Sequence, residues 1–306
     1  MITDDEKKLL DTELQPHRRR LIGISLLPAA ATLGNLLCGF AAILCCLFSV
    51  RADYAEFYSP LMKALFHTHI AAGAYLLLLA MLFDALDGRL ARMTRRTSEF
   101  GAQLDSLSDI VSFGVAPAIL LITLLLRPVA DAVASDPEAS RLQVRVGTIA
   151  ALVYLSCAAV RLARFNAENV KGESAQHAFS GLPSPGAAAA IVSLLVLHEQ
   201  LCRTGVAVWG VDWPAVSRWV IIGVTLSVGL LMVSRLDYVH VFNVYVSRRH
   251  PPTHLVWLIL ILGLLWYSFE LPLFELLLVF LAFAYVISGI VVHFNRRRDE
   301  HLPKPD

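Results

Sequence analysis

Long apolar stretches dominate the chain and are interrupted only by short charged segments. A helix needs about 20 apolar residues to cross the hydrocarbon core of a bilayer. Shorter stretches reach that length by including flanking residues whose charges extend to the interface. The pattern therefore predicts an all-α integral membrane protein with eight transmembrane helices. The eight stretches without Asp, Glu, Lys or Arg are Leu21–Val50, Ala64–Phe83, Ile110–Leu126, Val146–Val160, Ser174–His198, Trp219–Ser234, His250–Phe269 and Leu276–Asn295.

Composition agrees with this prediction. Hydrophobic residues make up 57% of the 306 residues and charged residues only 17%, against about 25% in soluble domains. Such a chain is neither a soluble globular enzyme nor a disordered one, because too much apolar surface would face water. A net charge of +1 gives no field that would attract nucleic acid. The five cysteines lie in or beside apolar runs, which predicts packed thiols rather than disulfides or a zinc site.

The distribution of basic residues predicts the orientation. One side holds both termini and the loops after the second, fourth and sixth helices, and it carries 19 of the 26 Lys and Arg residues. By the positive-inside rule this side is cytoplasmic, in the cytoplasmic membrane if the organism is bacterial. Residues 1–20 are predicted to form a short interfacial helix with Arg18–Arg20 at the headgroups, although that basic run also serves as a plain topology signal. Residues 127–145 are predicted to form an external loop, and 296–306 a cytoplasmic tail.

Four aspartates stand where membrane helices rarely carry charge. Asp84 and Asp87 are expected to end the second helix, and Asp105 and Asp109 lie in the first turns of the third. Steps of three, four and seven residues return to one face of a helix. The two pairs therefore each share a face, and the short joining segment makes the two helices neighbours. We expect the four carboxylates to converge at the cytoplasmic end of this helix pair.

Four converging carboxylates would repel one another unless cations lay between them. Donor sets made only of oxygen select hard ions such as Mg²⁺ or Mn²⁺, and four carboxylates suit a pair of divalent ions used in phosphoryl transfer. Gly88 and Gly101 leave room for a ligand at the backbone, and Arg92 offers a planar donor for phosphate oxygens. Helix caps and ion pairs would explain one or two of these residues, but not the whole set.

The full pattern, D-x-x-D-G-x-x-A-R-x8-G-x3-D-x3-D, resembles the signature of the CDP-alcohol phosphatidyltransferases. The resemblance implies an integral membrane enzyme with a six-helix catalytic core, usually a homodimer, that uses two divalent metals and a CDP-linked lipid. It also implies that Asp109 is the general base. The implied metal ligands are Asp84, Asp87, Asp105 and Asp109, and the implied positions holding the CDP group are Gly88, Ala91, Arg92, Ser98 and Gly101.

Three further blocks resemble the serine-using members of this family, the membrane-embedded phosphatidylserine synthases. They are residues 105–117, Arg161-Leu-Ala-Arg164-Phe-Asn166, and Phe179-Ser-Gly-Leu-Pro-Ser-Pro185. The resemblance implies transfer of the phosphatidyl group from CDP-diacylglycerol to L-serine, with phosphatidylserine and CMP as products. It covers residues 21–235 as the catalytic membrane domain and leaves 236–295 as two additional helices without a motif. One position differs, because Pro28-Ala29 stands where Pro-Asn is expected. Any role of that Asn in holding the nucleotide is then either lost or passes to Thr32 or Asn35.

The acceptor site is predicted at the cytoplasmic end of the fourth helix, where Arg161, Arg164 and Asn166 lie. A fixed Arg is the natural partner of the serine carboxylate, although either Arg alone could instead anchor the helix to lipid headgroups. Other acceptors, namely glycerol 3-phosphate, inositol phosphate or choline, would keep the same chemistry. A divalent-cation transporter is the alternative of a different class. The apolar outer halves of the second and third helices favour a catalyst at the interface, and a structural scaffold would not explain the acids.

Overall fold

Helices are the only regular elements in the part of the chain that the structure describes. The computed structural model describes residues 29–50, 66, 68–94, 99–127, 137–170, 181–204, 213–234, 236 and 273–300. Within them, seven stretches are long and apolar enough to cross a membrane. The predicted all-α, multi-pass membrane protein is therefore confirmed. The predicted helix at 250–269 and the interfacial helix at 1–20 lie outside the described residues.

Consecutive helices are numbered here in chain order. The third membrane span consists of two α-helical parts, α3 and α4, joined by a π-helical segment at Ile110–Val115. The α-helices are α1 (Ala29–Val50), α2 (His69–Thr94), α3 (Glu99–Asp109), α4 (Ala116–Leu126), α5 (Pro137–Val170), α6 (Ser184–Thr204), α7 (Trp213–Val233) and α8 (Leu273–Glu300).

Helix α5 corrects one prediction from the sequence. Residues 137–145, which were expected in an external loop, form the first turns of this 34-residue helix. At about 1.5 Å per residue it is roughly 50 Å long and exceeds the hydrocarbon core. A proline is tolerated at its first position, and Glu138 and Arg141 pair across one turn at 3.5 Å. The charged residues end the apolar run but not the helix, which is why the apolar pattern alone placed this boundary too late.

Helix α6 lies at the centre of the bundle and packs against α2, α7 and α8. Ile191 and Leu195 of α6 are fully buried, as are Leu121 and Leu124 of α4 and Tyr154 of α5. This packing holds the start of α6 against the end of α7, where Gly181 N–H donates to Leu236 O at 2.8 Å. The core therefore fixes the point at which the chain enters α6.

Residues of opposite charge lie far apart along the third span. Asp109 ends α3, whereas Arg127 follows the last residue of α4, 18 residues and about 27 Å further along the helix axis. Arg127 pairs with Glu199 of α6 through two 3.1 Å contacts, and its carbonyl accepts a hydrogen bond from Arg218 of α7 at 3.0 Å. A paired charge cluster thus ties three helices together at the end opposite the aspartates.

Candidate active site

Three carboxylates meet where α2 passes the start of the third span. Asp84, Asp105 and Asp109 each present one oxygen, and these three atoms lie within 4.8 Å of one another. The four-residue step between Asp105 and Asp109 places both on the face of α3 that meets α2. The expected convergence therefore holds for these three. Helix α2 does not end at Asp87 but continues to Thr94, because nothing in the intervening sequence breaks it.

The fourth aspartate lies beside this group without joining it. Asp87 is buried, with 5% of its surface exposed, and its charge interacts with those of Asp105, Asp84 and Asp109. The Thr32 hydroxyl on α1 donates a hydrogen bond to the Asp87 carboxylate. The structure thus places all four predicted aspartates in one region, three of them in close contact.

Helix α1 supports the carboxylates from the other side. Asn35 Nδ2 donates to Asp109 Oδ1 at 3.2 Å, and the Ser108 hydroxyl donates to the Thr32 carbonyl at 3.1 Å. Ser112 donates to the Asn35 carbonyl at 3.0 Å. These bonds require α1 to lie very close to the third span, and Gly39 permits this, because a Cβ there would collide with the Ser112 side chain and lie 2.8 Å from Ser112 Cα.

The donor atoms of this region fit a divalent cation. Asp87 Oδ2, Asp105 Oδ1 and Asn35 Oδ1 are buried acceptors for which no hydrogen-bond donor is found among the described residues. Buried acceptors without a partner cost free energy, and four neighbouring carboxylates inside membrane helices add electrostatic repulsion. A hard cation would satisfy the acceptors and offset the repulsion together, and oxygen-only donors select Mg²⁺ or Mn²⁺. The acidic cluster can therefore hold a metal.

A cationic side borders the cluster on α5. The Arg161 guanidinium interacts electrostatically with Asp84 and Asp109, and its Nη1 donates to the Ser184 hydroxyl at 2.6 Å. One helical turn further, Asn166 Oδ1 accepts a hydrogen bond from Ser106 at 3.0 Å. Arg164 lies near enough to Arg161 to repel it electrostatically. Two predicted acceptor residues, Arg161 and Asn166, therefore border the carboxylates.

The π-helical segment that follows Asp109 has an identifiable cause. In an α-helix the Phe113 carbonyl would accept the N–H of residue 117, but Pro117 has none to give. The Tyr154 hydroxyl of α5 donates to that carbonyl instead, at 2.6 Å, and the Ala116 N–H bonds five residues back to the Val111 carbonyl. Such segments frequently occur at functional sites. Here the segment lies directly after Asp109 and is itself bonded to α5 through Tyr154.

The family model described as CDP-alcohol phosphatidyltransferase matches residues 25–231, which include α1 to α6, all but the last two residues of α7, and all four aspartates. The chain belongs to the CDP-alcohol phosphatidyltransferase family. The resemblance inferred from the aspartate motif is therefore confirmed, and α8 lies outside the region that defines the family.

The chain is also similar to individual proteins whose names refer to serine or to a serine-containing lipid. The chain is 30% identical to the CDP-diacylglycerol–serine O-phosphatidyltransferase of Mycobacterium leprae over 77% of the chain and 65% of that protein. It is 34% identical to the protein of the same name from Methanocaldococcus jannaschii, over 53% of the chain and 61% of the relative. It is also 40% identical to the archaetidylserine synthase of Methanothermobacter thermautotrophicus, over 40% of the chain and 45% of the relative. The chain thus spans less than two thirds of the length of each of these relatives.

The other described positions of the family motif lie on the same two helices. A Cβ built at Gly88 would meet nothing within 4 Å, so the backbone there is open to a ligand. Ala91 and Arg92 lie near the end of α2, Gly101 lies in the first turn of α3, and Ser98 lies outside the described residues. Where the family pattern expects Asn after Pro28, this chain begins α1 with Ala29, and Thr32 and Asn35 are the polar residues of α1 that reach the aspartates.

In the sequence, residues 179–185 show only a resemblance to other family members and indicate no role in the site. Helix α6 begins within this block, at Ser184, between Pro183 and Pro185. Gly181 has a φ of 98°, a conformation that glycine adopts readily, and Leu182 N–H donates to Leu231 O at 3.1 Å. This turn presents Ser184 to Arg161. The Gly-Leu-Pro-Ser order is typical of a turn before a helix, but the residues at the end of α7 that anchor this turn are distant in sequence.

Proposed function

We propose that the chain transfers the phosphatidyl group of CDP-diacylglycerol to the hydroxyl of L-serine, giving phosphatidylserine and CMP. One observation carries the proposal: Asp109 belongs to the carboxylate group that fits a metal and also interacts with Arg161. A group for activating a hydroxyl and a cation for binding a carboxylate therefore lie side by side. Serine carries both a hydroxyl and a carboxylate.

The donor is proposed to bind on the α2 side. Asp84, Asp87, Asp105 and Asp109 would hold two divalent ions, Mg²⁺ or Mn²⁺, and bound ions would neutralise the charge that develops on the diphosphate oxygens. Gly88 and Gly101 leave the backbone accessible to the cytidine diphosphate group, and Arg92 supplies donors for its phosphate oxygens. The acyl chains would remain in the bilayer. Ala91 and Ser98 complete the proposed donor site by their place in the family motif.

The reaction is an in-line displacement in which this chain moves one proton. The Asp109 carboxylate accepts the proton of the serine hydroxyl, and the serine oxygen forms a bond to the lipid-side phosphorus. The bond from that phosphorus to the CMP oxygen breaks, and its electron pair leaves with CMP. Asn35 orients the Asp109 carboxylate through their hydrogen bond. Arg161 binds the serine carboxylate, and Asn166 lies within the same acceptor site.

The names of the relatives support serine as the acceptor, since all three refer to serine transfer or an archaetidylserine product. The archaetidyl name also indicates that relatives differ in the lipid they use.

The test uses purified protein with Mg²⁺ or Mn²⁺ and either a diacyl or an ether-linked CDP donor. One labelled acceptor is added at a time: serine, glycerol 3-phosphate, inositol phosphate or choline.

We expect label from serine, and not from the other three, to enter the lipid fraction, with CMP released in equal amount. The Asp109→Asn variant, purified in the same way, is the matched control for contaminating activity. Incorporation of glycerol 3-phosphate without serine would contradict the acceptor while leaving the chemistry intact. If CMP were released with none of the four acceptors, whichever donor was supplied, the proposed reaction itself would be contradicted.

The proposal includes an arrangement in the membrane. We propose that both termini and the site face the cytoplasm, that residues 21–235 form the catalytic domain and that 236–295 add two helices to it. We also propose a homodimer, as the family resemblance implies. Single cysteines introduced at residues 5 and 300 and labelled in sealed vesicles test the orientation. If both termini are cytoplasmic, both cysteines must react with a reagent on the cytoplasmic side and neither with a reagent on the other side. Cross-linking in native membranes tests the dimer.

A further inference from the structure

The last described helix, which lies outside the region matched by the family, packs against the start of α6. One close approach between them is that of Tyr285 of α8 to Gly186. A Cβ at Gly186 would lie 2.5 Å from Tyr285 Cε1 and 3.0 Å from Cδ1. The aromatic ring therefore rests directly on the first turn of α6, where a side chain larger than hydrogen would displace it.

This contact lies beside Arg161. Gly186 is two residues beyond Ser184, whose hydroxyl accepts the 2.6 Å hydrogen bond from Arg161. The Tyr285 side chain also lies within electrostatic range of the Arg161 guanidinium. Ser184 and Tyr285 therefore lie near Arg161, as do Asp84 and Asp109.

The partners of Arg161 matter for its proposed role, which is to bind the carboxylate of the acceptor. A buried guanidinium beside two carboxylates would be expected to form ion pairs with them. Among the described residues, neither Asp84 nor Asp109 comes into ion-pair contact with Arg161. Its hydrogen bond goes instead to a neutral hydroxyl, which leaves its other donors for an incoming carboxylate.

We propose that Tyr285 is a positioning residue for Arg161, so that α8 completes the acceptor side of the site. This inference rests on the proposed function, in which Arg161 binds the acceptor. Tyr285 does not touch the reacting atoms. It holds the guanidinium at Ser184 and away from the aspartates, which lowers the cost of binding an acceptor carboxylate. The extra helix therefore contributes to acceptor specificity as well as to the membrane anchor.

The test is a double-mutant cycle on Tyr285→Phe and Arg161→Ala. Tyr285→Phe removes only the hydroxyl, so the ring still fills the space at Gly186. We expect it to raise KM for serine roughly fivefold to tenfold, with kcat within about twofold and an unchanged KM for CDP-diacylglycerol. In the Arg161→Ala background, the same change should have no further effect, because the residue acts through Arg161.

Tyr75→Phe is the matched control. Tyr75 of α2 hydrogen-bonds Glu275 of α8, so this variant also removes a tyrosine hydroxyl that contacts α8, about ten residues from Tyr285 along that helix. We expect a lower Tm without a change in KM. A second readout, the rise in Tm that serine produces, should be smaller for Tyr285→Phe and unchanged for Tyr75→Phe.

Two results would overturn the inference: a wild-type serine KM in Tyr285→Phe, or effects of Tyr285→Phe and Arg161→Ala that multiply. Failure of the proposed function would give a different result, because the wild-type protein itself would then incorporate no serine. If another acceptor is used, the same cycle on that acceptor must show the same coupling.

Discussion

Asn35 Nδ2 and Asp109 Oδ1 are joined by a 3.2 Å hydrogen bond between residues that lie 74 positions apart. The bond links α1 to the end of α3 and leaves the second oxygen of Asp109 available for other partners. A carboxylate that must accept a proton needs a fixed orientation, and a neutral amide can provide it without adding charge. We therefore propose that Asn35 orients Asp109, although it lies outside the aspartate motif.

Asn35→Ala is expected to lower kcat by about 10- to 100-fold, as is typical when a partner of an active carboxylate is lost. The Asp109 side chain would remain but would lose its fixed orientation. Initial rates at saturating substrates measure the effect. Ser227→Ala serves as the control, because this exposed hydroxyl bonds only within α7, to Gly223 O at 2.8 Å. A wild-type rate in Asn35→Ala would refute the orienting role.

Asp109→Asn is expected to lower turnover by about 10²- to 10⁴-fold, the range for losing a general base, and by more if metal binding also weakens. Asn is nearly isosteric, so the variant should fold. Circular dichroism and Tm check that point, and product formation measures the rate. Glu138→Gln removes an exposed carboxylate at the start of α5 and should have no effect. If Asp109→Asn turned over near the wild-type rate, another residue would have to be the base.

Divalent metal should be required for activity and should stabilise the protein. EDTA is expected to abolish turnover, and Mg²⁺ or Mn²⁺ to restore it. Independently of activity, metal at about 100 times its Kd should stabilise the fold by about 2.7 kcal/mol and so raise Tm. Asp105→Asn, which removes a charge from the cluster, should diminish that rise. Full turnover in a chelated buffer would exclude the metal site.

Arg161→Ala and Arg164→Ala should separate the two basic residues of the predicted acceptor block. Arg161 contacts Ser184 and interacts with the aspartates, so its loss should raise KM for serine and leave KM for CDP-diacylglycerol nearly unchanged. Arg164→Ala should have the smaller effect on the serine KM. Steady-state kinetics with each substrate varied in turn decide this. An unchanged serine KM in both variants would show that the acceptor site lies elsewhere.

Gly39→Ala should destabilise the fold, because the new Cβ would lie 2.8 Å from Ser112 Cα and collide with its side chain. Overpacking of this kind costs about 1–3 kcal/mol. It would also separate α1 from the aspartates, so activity should fall with Tm. Gly223→Ala is the matched control, since a Cβ there meets nothing within 4 Å. Equal Tm values for the two variants would contradict the close packing of α1.

Much of the site follows from sequence because it depends on local spacing. The aspartates recur at three- and four-residue steps, and such steps determine a helix face without knowledge of any partner. The membrane fold follows from apolar length for the same reason. The contact of Asp84 with Asp105 and Asp109 could be predicted from the sequence because only a short segment joins α2 to α3.

Other features depend on contacts between distant residues. The extension of α5 to Pro137 was missed because charged residues continue a helix as readily as apolar ones do. Tyr154 and Pro117 form a complementary pair, one supplying the donor that the other lacks, yet neither residue alone indicates this. Tyr285 was missed because α8 carries no motif, and only its packing on Gly186 brings it to Arg161.

The hydrogen bonds from Gly181 to Leu236 and from Leu182 to Leu231 have a consequence for the order in which the chain is made. Residues of α1 to α3 are synthesised first, so the aspartates can meet while the ribosome is still adding later helices. The turn that presents Ser184 gains its anchor only once residue 236 has emerged. The aspartates can thus come together early in biogenesis, whereas the turn that presents Ser184 to Arg161 is anchored only after α7 has been inserted.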